Sequence, residues 1–563
     1  MKRILLALVL AGAVAAVAQT PSAALTSAPG GSGKAVVEKL LDRIVEREQA
    51  FMVSMKKRAP LVETYIQESP VIESGDAAPN KDHYFLGRIH MADALSYSPL
   101  VERTDVAPKQ GSRLFRFGAK IQPVTFLPRG FAQMAFVDLT DFSRKTYRFE
   151  YVRREFLGDV RCLVFDVSPV NPTDPGRFTG RIWVEDQEDL IVRFDGIYLQ
   201  PPPTKGAMQE RYFHFDSWRV NVAPGIWVPS QIYVEEAGGQ IKGPNSLPRD
   251  SLPRFKAQTR LWDYAATPPN KLDELTSILV DQAADVKDQT ASQDTSPLES
   301  QRSWERQAEE NILARLQKGG LLAPVGPVDD VLNTVVNNLI VSANLNVEAH
   351  CRVLLTTPVE TFSVGHTIVI SRGLIDVLPD EVSLALILAA ELSHIALGHP
   401  TPTQFAFHNQ TMLSDTELLQ KFHFERTPAE MASAAKKTIE IMKVSPYQKT
   451  ANTSIFLKAL ALRGQSLPRL LAANLGNQVA DPDALSSLAA YATNAPAIEE
   501  DKIEQIAALP LGSRVKLNPW SNQIALVKAR PIALLSAREK MPFEVTPFAL
   551  HLTRIESATS AKQ

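Results

Sequence analysis

Gly180-Arg181-Ile182-Trp183-Val184-Glu185-Asp186-Gln187-Glu188-Asp189-Leu190-Ile191-Val192-Arg193-Phe194 decides the fold class of the first half of this chain. Two runs rich in β-branched and aromatic residues flank an acidic turn, the pattern of a β-hairpin. Similar runs recur on both sides, at residues 113–118, 133–139, 147–152, 160–167, 212–220, 226–234 and 257–264. Ahead of them Val37, Leu40, Leu41, Ile44 and Val45 share one face of a helix. One leading helix and a series of short strands predict a large curved antiparallel sheet or an open barrel.

Composition bounds the rest. The chain has 563 residues, with 60 Lys+Arg against 62 Asp+Glu and a formal net charge of -2. That balance excludes a protein whose business is nucleic-acid phosphate, which calls for a basic surface. Hydrophobic residues make up 45% and charged residues 22%, enough to build ordinary cores. The two cysteines, Cys162 and Cys351, exclude a disulfide-dense scaffold and a zinc site made of cysteines alone.

Lys2 and Arg3 precede an apolar, Ala-rich run that ends in Ala16-Val17-Ala18, the outline of a cleaved signal peptide. No later run is apolar for the length that a membrane helix needs. The expected product is exported, periplasmic or extracellular, and not integral to the membrane after cleavage. The expected organisation is a signal over 1–18, a linker over 19–33, a β-rich domain over 34–285, a polar linker over 286–303, a helical domain over 304–510, and a hairpin extension with a tail over 511–563.

The strand Gly180-Arg181-Ile182-Trp183-Val184, its return Ile191-Val192-Arg193-Phe194, and the later Gly225-Ile226-Trp227-Val228-Pro229 resemble the periplasmic lipoprotein-carrier (LolA-like) fold. The resemblance is one of architecture more than of chemistry. It implies a concave face able to hold acyl chains, hence lipid or lipoprotein as a partner.

The segment that bears on chemistry lies later. Asp380 is placed to cap a helix that Gly398 and Pro400 close. Inside it runs Ala389-Ala390-Glu391-Leu392-Ser393-His394-Ile395. A Glu and a His within an apolar helix need partners, because burying them unpaired is costly. The spacing is that of the zinc-helix motif His-Glu-x-x-His, in which two His at i and i+4 hold the metal and the Glu activates bound water. Glu391 and His394 occupy the second and fifth positions, but Ala390 occupies the first and offers no ligand.

Together with Phe362-Ser363-Val364-Gly365-His366-Thr367-Ile368-Val369-Ile370-Ser371-Arg372-Gly373-Leu374-Ile375-Asp376, this segment resembles the HtpX / CAAX-prenyl endopeptidase family (family 48 of the metallopeptidases). The resemblance implies a third ligand, a Glu on a later helix upstream of a Gly-Tyr pair. Pro446-Tyr447 stands at that pair, and counting back reaches Ser433-Ala434-Ala435. Ser433 therefore takes the place of the ligand Glu.

The resemblance implies an α+β protein whose second half is a mainly helical, zincin-like metallopeptidase domain with a small sheet. Glu391 is then a vestigial general base and His394 a vestigial ligand, with Ala390 and Ser433 at the lost positions. An active zinc endopeptidase requires recruited ligands, for which His366, His399 and Glu430 are the candidates, with His408 and His423 further off. The reading preferred on these residues is a pseudopeptidase without a cofactor, zinc being the metal if the site is active. Its partners are unfolded or extended peptides or envelope proteins, taken by strand addition along the expected edge strand Thr367, Ile368, Val369 and Ile370. The alternatives are the active enzyme, and a lipid or lipoprotein carrier working through the first domain.

Overall fold

A computed structural model describes residues 32–70, 78–91, 94–100, 125–202, 211–237, 239–240, 251–252, 254–264, 297–407, 417, 419–447, 451–464, 466–471, 475–479, 514–527 and 543–555. The expected signal peptide, the strand at 113–118 and the polar stretch 286–296 fall outside these residues, as does His408.

The first half opens with helix α1 (Ser32–Met55). Strands β1 (Leu61–Ser69), β2 (Lys81–Met91) and β3 (Leu95–Pro99) follow, then the short helix α2 (Pro128–Gln133). Next come β4 (Tyr147–Leu157), β5 (Val160–Pro169), β6 (Phe178–Glu185), β7 (Ile191–Tyr198), β8 (Phe215–Ala223) and β9 (Ile226–Glu236). A two-residue pair, β10 (Gly239–Gln240) with β11 (Ser251–Leu252), precedes β12 (Arg254–Trp262). Ten of these strands form one antiparallel sheet in the order β3-β2-β1-β12-β9-β8-β7-β6-β5-β4. The sheet is open, with β3 and β4 at its edges.

The acidic hairpin is present as β6 and β7, with Ile182 opposite Phe194. Glu185 closes its turn by accepting the backbone N–H of Glu188 at 2.6 Å and of Gln187 at 3.2 Å. Asp189 takes a positive φ of 59° and binds Arg43 of α1 at 2.6 Å. The turn thus ties the sheet to the helix lying on it.

One face of the sheet is filled by α1 and by residues 126–142. Leu41, Ile44, Phe51 and Met55 of α1 pack with Phe165, Phe178, Phe194 and Phe215 in one continuous cluster. Burying each such side chain contributes about 1.5–3 kcal/mol. The run at 133–139, expected as a strand, instead leaves α2 through successive turns. Pro128 begins that helix at a position where its missing N–H costs nothing. Met134, Ala135, Phe136 and Val137 are buried because they cap the sheet, not because they pair in it.

The second half consists of helices around a small sheet. Helix α3 (Pro297–Lys318) already includes the last residues of the expected linker. Then follow α4 (Pro327–Ser342), β13 (His350–Leu354), β14 (Glu360–Val364), β15 (Thr367–Ser371), α5 (Arg372–Val377), α6 (Glu381–Ala396), α7 (Pro428–Val444), α8 (Ala451–Arg463), α9 (Pro468–Leu471) and β16 (Asn477–Gln478). The hairpin β17 (Val515–Leu517) and β18 (Ile524–Leu526) comes last. The small sheet has the order β13-β15-β14-β16.

That order corrects one expectation. Thr367, Ile368, Val369 and Ile370 are not on an edge: β15 pairs with β13 on one side and β14 on the other. All five residues of β15 are buried. The outer side of β13 is taken by residues 321–323, where the Ala323 N–H meets Val353 O at 2.9 Å. Beyond β16, the Ser363 hydroxyl of β14 accepts from Arg426 at 3.0 Å. An apolar strand reads alike at an edge and in the middle of a sheet, which is why sequence misplaced it.

The two halves share a core. Leu61, Tyr65, Leu86 and Trp262 of the large sheet belong to the same buried cluster as Leu322, Leu354, Leu374 and Leu386. Residues 543–555 then run back across the sheet face opposite α1. The Gln67 amide grips Phe543 O and the Val545 N–H, Leu552 O accepts from the Asp159 N–H at 2.8 Å, and Arg554 pairs with Glu185. Leu552 is buried there among Cys162, Trp183, Trp218 and Trp227.

Candidate functional site

Helix α6 starts at Asp380, whose carboxylate accepts the Ser383 N–H at 2.8 Å. It ends at Gly398, whose φ of +66° is a left-handed turn that glycine adopts without strain. The turn folds His399 back over the helix it has just left. His394 Nδ1 and His399 Nδ1 lie 2.8 Å apart, and His399 Nε2 lies 3.2 Å from Ser433 Oγ on α7. Ser433 Oγ also donates to Glu430 O at 2.9 Å.

Counting donors orders this chain. Ser433 has one hydroxyl proton, given to Glu430 O, so it accepts from His399 Nε2–H. The other nitrogen of His399 then accepts from His394 Nδ1–H. Every link is satisfied with both rings neutral. Burial, with help from Arg426 and His399, holds the His394 imidazole down at about 3, so it stays neutral at physiological pH. Burial and Arg426 also lower His399, against an opposing pull from Glu430.

Glu391 faces another way. Its Oε1 accepts from Asn477 Nδ2 of β16 at 3.1 Å. Asn477 Oδ1 in turn takes the Arg426 N–H at 2.9 Å. The Arg426 guanidinium reaches Pro400 O at 2.6 Å and the Ser363 hydroxyl at 3.0 Å. Burial raises the Glu391 carboxyl, opposed by Asn477, Arg426 and Ser363. Asn477 is the hydrogen-bond partner of this Glu through Oε1, and Arg426 contributes a favourable charge nearby. Sequence did not single them out, since neither sits at helical spacing from Glu391.

The residues expected to hold a metal are brought together only in part. His394, His399 and Ser433 meet; Ala390 lies half-buried on α6 and supplies no donor atom. Glu430 is committed to its own helix: its carboxylate accepts the Thr427 N–H at 2.9 Å and the Thr427 hydroxyl at 2.8 Å in a capping box. His366 stands exposed on the β14–β15 turn, and its backbone N–H binds Glu309 at 3.1 Å. His423 is exposed. Among the described residues no three His, Cys, Asp or Glu side chains gather as a metal-holding group. A catalytic zinc needs three protein ligands with free lone pairs. Both nitrogens of His399 and the hydroxyl of Ser433 are already used within the hydrogen-bonded chain, so the donor set does not fit zinc.

Two other features bear on chemistry. Cys162 and Cys351 are free, buried thiols in separate clusters, each pushed up by burial to about 12. A cavity of about 230 Å³ opens beside β3 and α2, lined by Met91, Leu95 and Leu139 with Lys56 and Arg129 among its walls. Among the described residues no helix is long and apolar enough to cross a membrane.

No protein-family model matches the chain, and no curated protein matches it. Among solved structures, a LolA superfamily protein from Nitrosomonas europaea is similar over 41% of this chain and 96% of its own, at 13% identity and a TM-score of 0.21. A DUF1329 family protein from Desulfovibrio piger is similar over 40% of this chain and 90% of its own, at 14% identity and a TM-score of 0.22. The metallopeptidase resemblance rests on the sequence motifs alone.

Proposed function

We propose that this chain is an exported, non-catalytic relative of the zinc metallopeptidases, a pseudopeptidase that binds envelope proteins or extended peptides without cutting them. The observation that carries the reading is the imidazole of His399, hydrogen-bonded on one side to His394 and on the other to Ser433. These are the retained ligand position and the lost one. On this reading no electrophile is held there for Glu391 to serve, and its Oε1 is bonded to Asn477. Strand addition at Thr367–Ser371 is no part of this proposal, because that strand is paired on both sides.

Incubation of the purified chain with an unfolded protein substrate, with and without a chelator, tests the loss of catalysis. The reading expects no cleavage in either case, and a retained complex by cross-linking. Chelator-sensitive cleavage would return the protein to the active zinc endopeptidases.

A second reading has its own observation. The cavity beside β3 is lined by Met91, Leu95 and Leu139 together with the cationic Lys56 and Arg129 and the polar Gln133 and Thr140, a mixed lining that suits a small anionic amphipath such as a lipid. Against a long acyl chain stands the aromatic packing that fills the rest of that face. Mass spectrometry of extracts from the purified protein checks this: co-purified lipid that disappears in a Met91→Trp variant supports a carrier, and its absence removes that reading.

A further inference from the structure

Strand β4 is an edge of the large sheet, and among the described residues it is paired only with β5. It carries a bulge between Tyr151 and Arg153, where Val152 is the extra residue. Charges and bulges on an edge strand ordinarily keep it from pairing. Here the bulge has a different consequence. Arg148, Glu150, Arg153 and Glu155 stand opposite Ser168, Asp166, Val164 and Cys162 of β5. Those partners alternate along β5, so they share one face of the sheet. The four charged residues therefore share that face as well, in the order positive, negative, positive, negative. Without the bulge, Arg148 and Glu150 would lie on the opposite face from Arg153 and Glu155.

We propose that β4 is a self-association edge, pairing antiparallel with β4 of a second copy about a two-fold axis between Tyr151 and Val152. In that register Glu150 faces Arg153 and Arg148 faces Glu155, and the symmetry repeats each contact. Directly opposed unlike charges stabilise an antiparallel pair, and like charges destabilise it. The register also preserves faces, because the bulge is present in both strands. On the other face, Phe149 comes opposite Arg154 and the exposed Phe156 comes opposite Tyr147. Phe156 is 66% exposed and Tyr151 40% exposed in the single chain, an aromatic stripe beside a backbone that pairs with no other described strand than β5. A two-fold interface of this kind is isologous and closes on itself, giving a dimer rather than a fibre.

Sedimentation equilibrium of the full chain at low salt tests the proposal. A reversible dimer is expected. Glu150→Arg places like charges at two symmetric contacts and weakens the dimer by about tenfold or more. Arg148→Glu, acting on the other pair, does the same. The double variant Glu150→Arg with Arg153→Glu restores association. All three side chains are on the surface, so circular dichroism is expected to stay unchanged in each variant. A chain that remains monomeric, a dimer that ignores both single reversals, or a double reversal that fails to restore it overturns the proposal. Binding of a foreign extended peptide in place of self-association overturns it too.

Discussion

The carboxylate of Glu63 on β1 and the guanidinium of Arg372 at the start of α5 lie 2.9 Å apart, both almost wholly buried between the two halves of the chain. Glu63 also accepts from the Thr357 N–H at 2.6 Å, the Thr357 hydroxyl at 2.7 Å and Tyr84 at 2.9 Å. Both of its oxygens are fully used. Removing one partner of such a pair leaves a buried charge uncompensated, at about 3–5 kcal/mol. Glu63→Ala is expected to lower unfolding stability by that amount in urea titrations. Gly373→Ala is expected to be comparably harmful, since a Cβ there would lie 1.7 Å from Thr357 O.

The buried imidazole of His394 makes stability depend on pH. Its value falls from 6.5 in the free side chain to about 3 in the fold. Below 6.5 the unfolded chain takes up a proton that the folded chain refuses, so this group's contribution is complete above 6.5 and is lost as pH falls toward 3. Glu391, raised by burial, works in the opposite sense as pH rises. Comparing wild type with His394→Gln separates the two. The variant is expected to show a shallower loss of stability between pH 6.5 and 3, and equal slopes in that window would contradict the assignment.

The returning segment 543–555 is expected to be structural. Leu552 is 2% exposed against Trp183, Trp218 and Trp227. Leu552→Ala is predicted to cost about 2–5 kcal/mol, the range for emptying a buried leucine site. Limited proteolysis of that variant is expected to cut within 543–555 faster than in wild type; an unchanged rate and melting point would mean that the strap bears no load.

Cys162 and Cys351 are predicted to ignore a thiol reagent in the folded protein and to react together on unfolding. Both are buried, with thiols raised to about 12, where little thiolate forms. Prompt labelling of either under native conditions contradicts this.

Much of the architecture is legible in the residues, and the exceptions have causes. The hairpin of β6 and β7 follows from its alternation and its acidic turn, and α6 from the Asp380 cap and the Gly398 stop. Strands β1 and β2 escaped because β1 carries Glu63, Thr64 and Gln67 fully buried. Such a strand, packed on both faces with polar groups paired across the chain, shows no alternation to read. The run at 133–139 was misread because a segment capping a sheet is as apolar as a strand within it. At the candidate site, sequence alone puts Ala390 and Ser433 at the positions where the resembled motif would carry ligands. The placement of His399 between His394 and Ser433 was not open to sequence, since it depends on how Gly398 turns the chain. The partners of Glu391 come from segments far along the chain, which no local spacing reveals.

In the proposed pseudopeptidase, the hydrogen-bonded chain His394–His399–Ser433 stands where a peptidase would hold its metal. Elemental analysis of the protein purified from zinc-supplemented culture checks this. Far less than stoichiometric zinc is expected in wild type, and a marked gain in a variant combining Ala390→His, Ser433→Glu and His399→Ala. Stoichiometric zinc in the wild-type chain, lost when His394 is replaced, would contradict it.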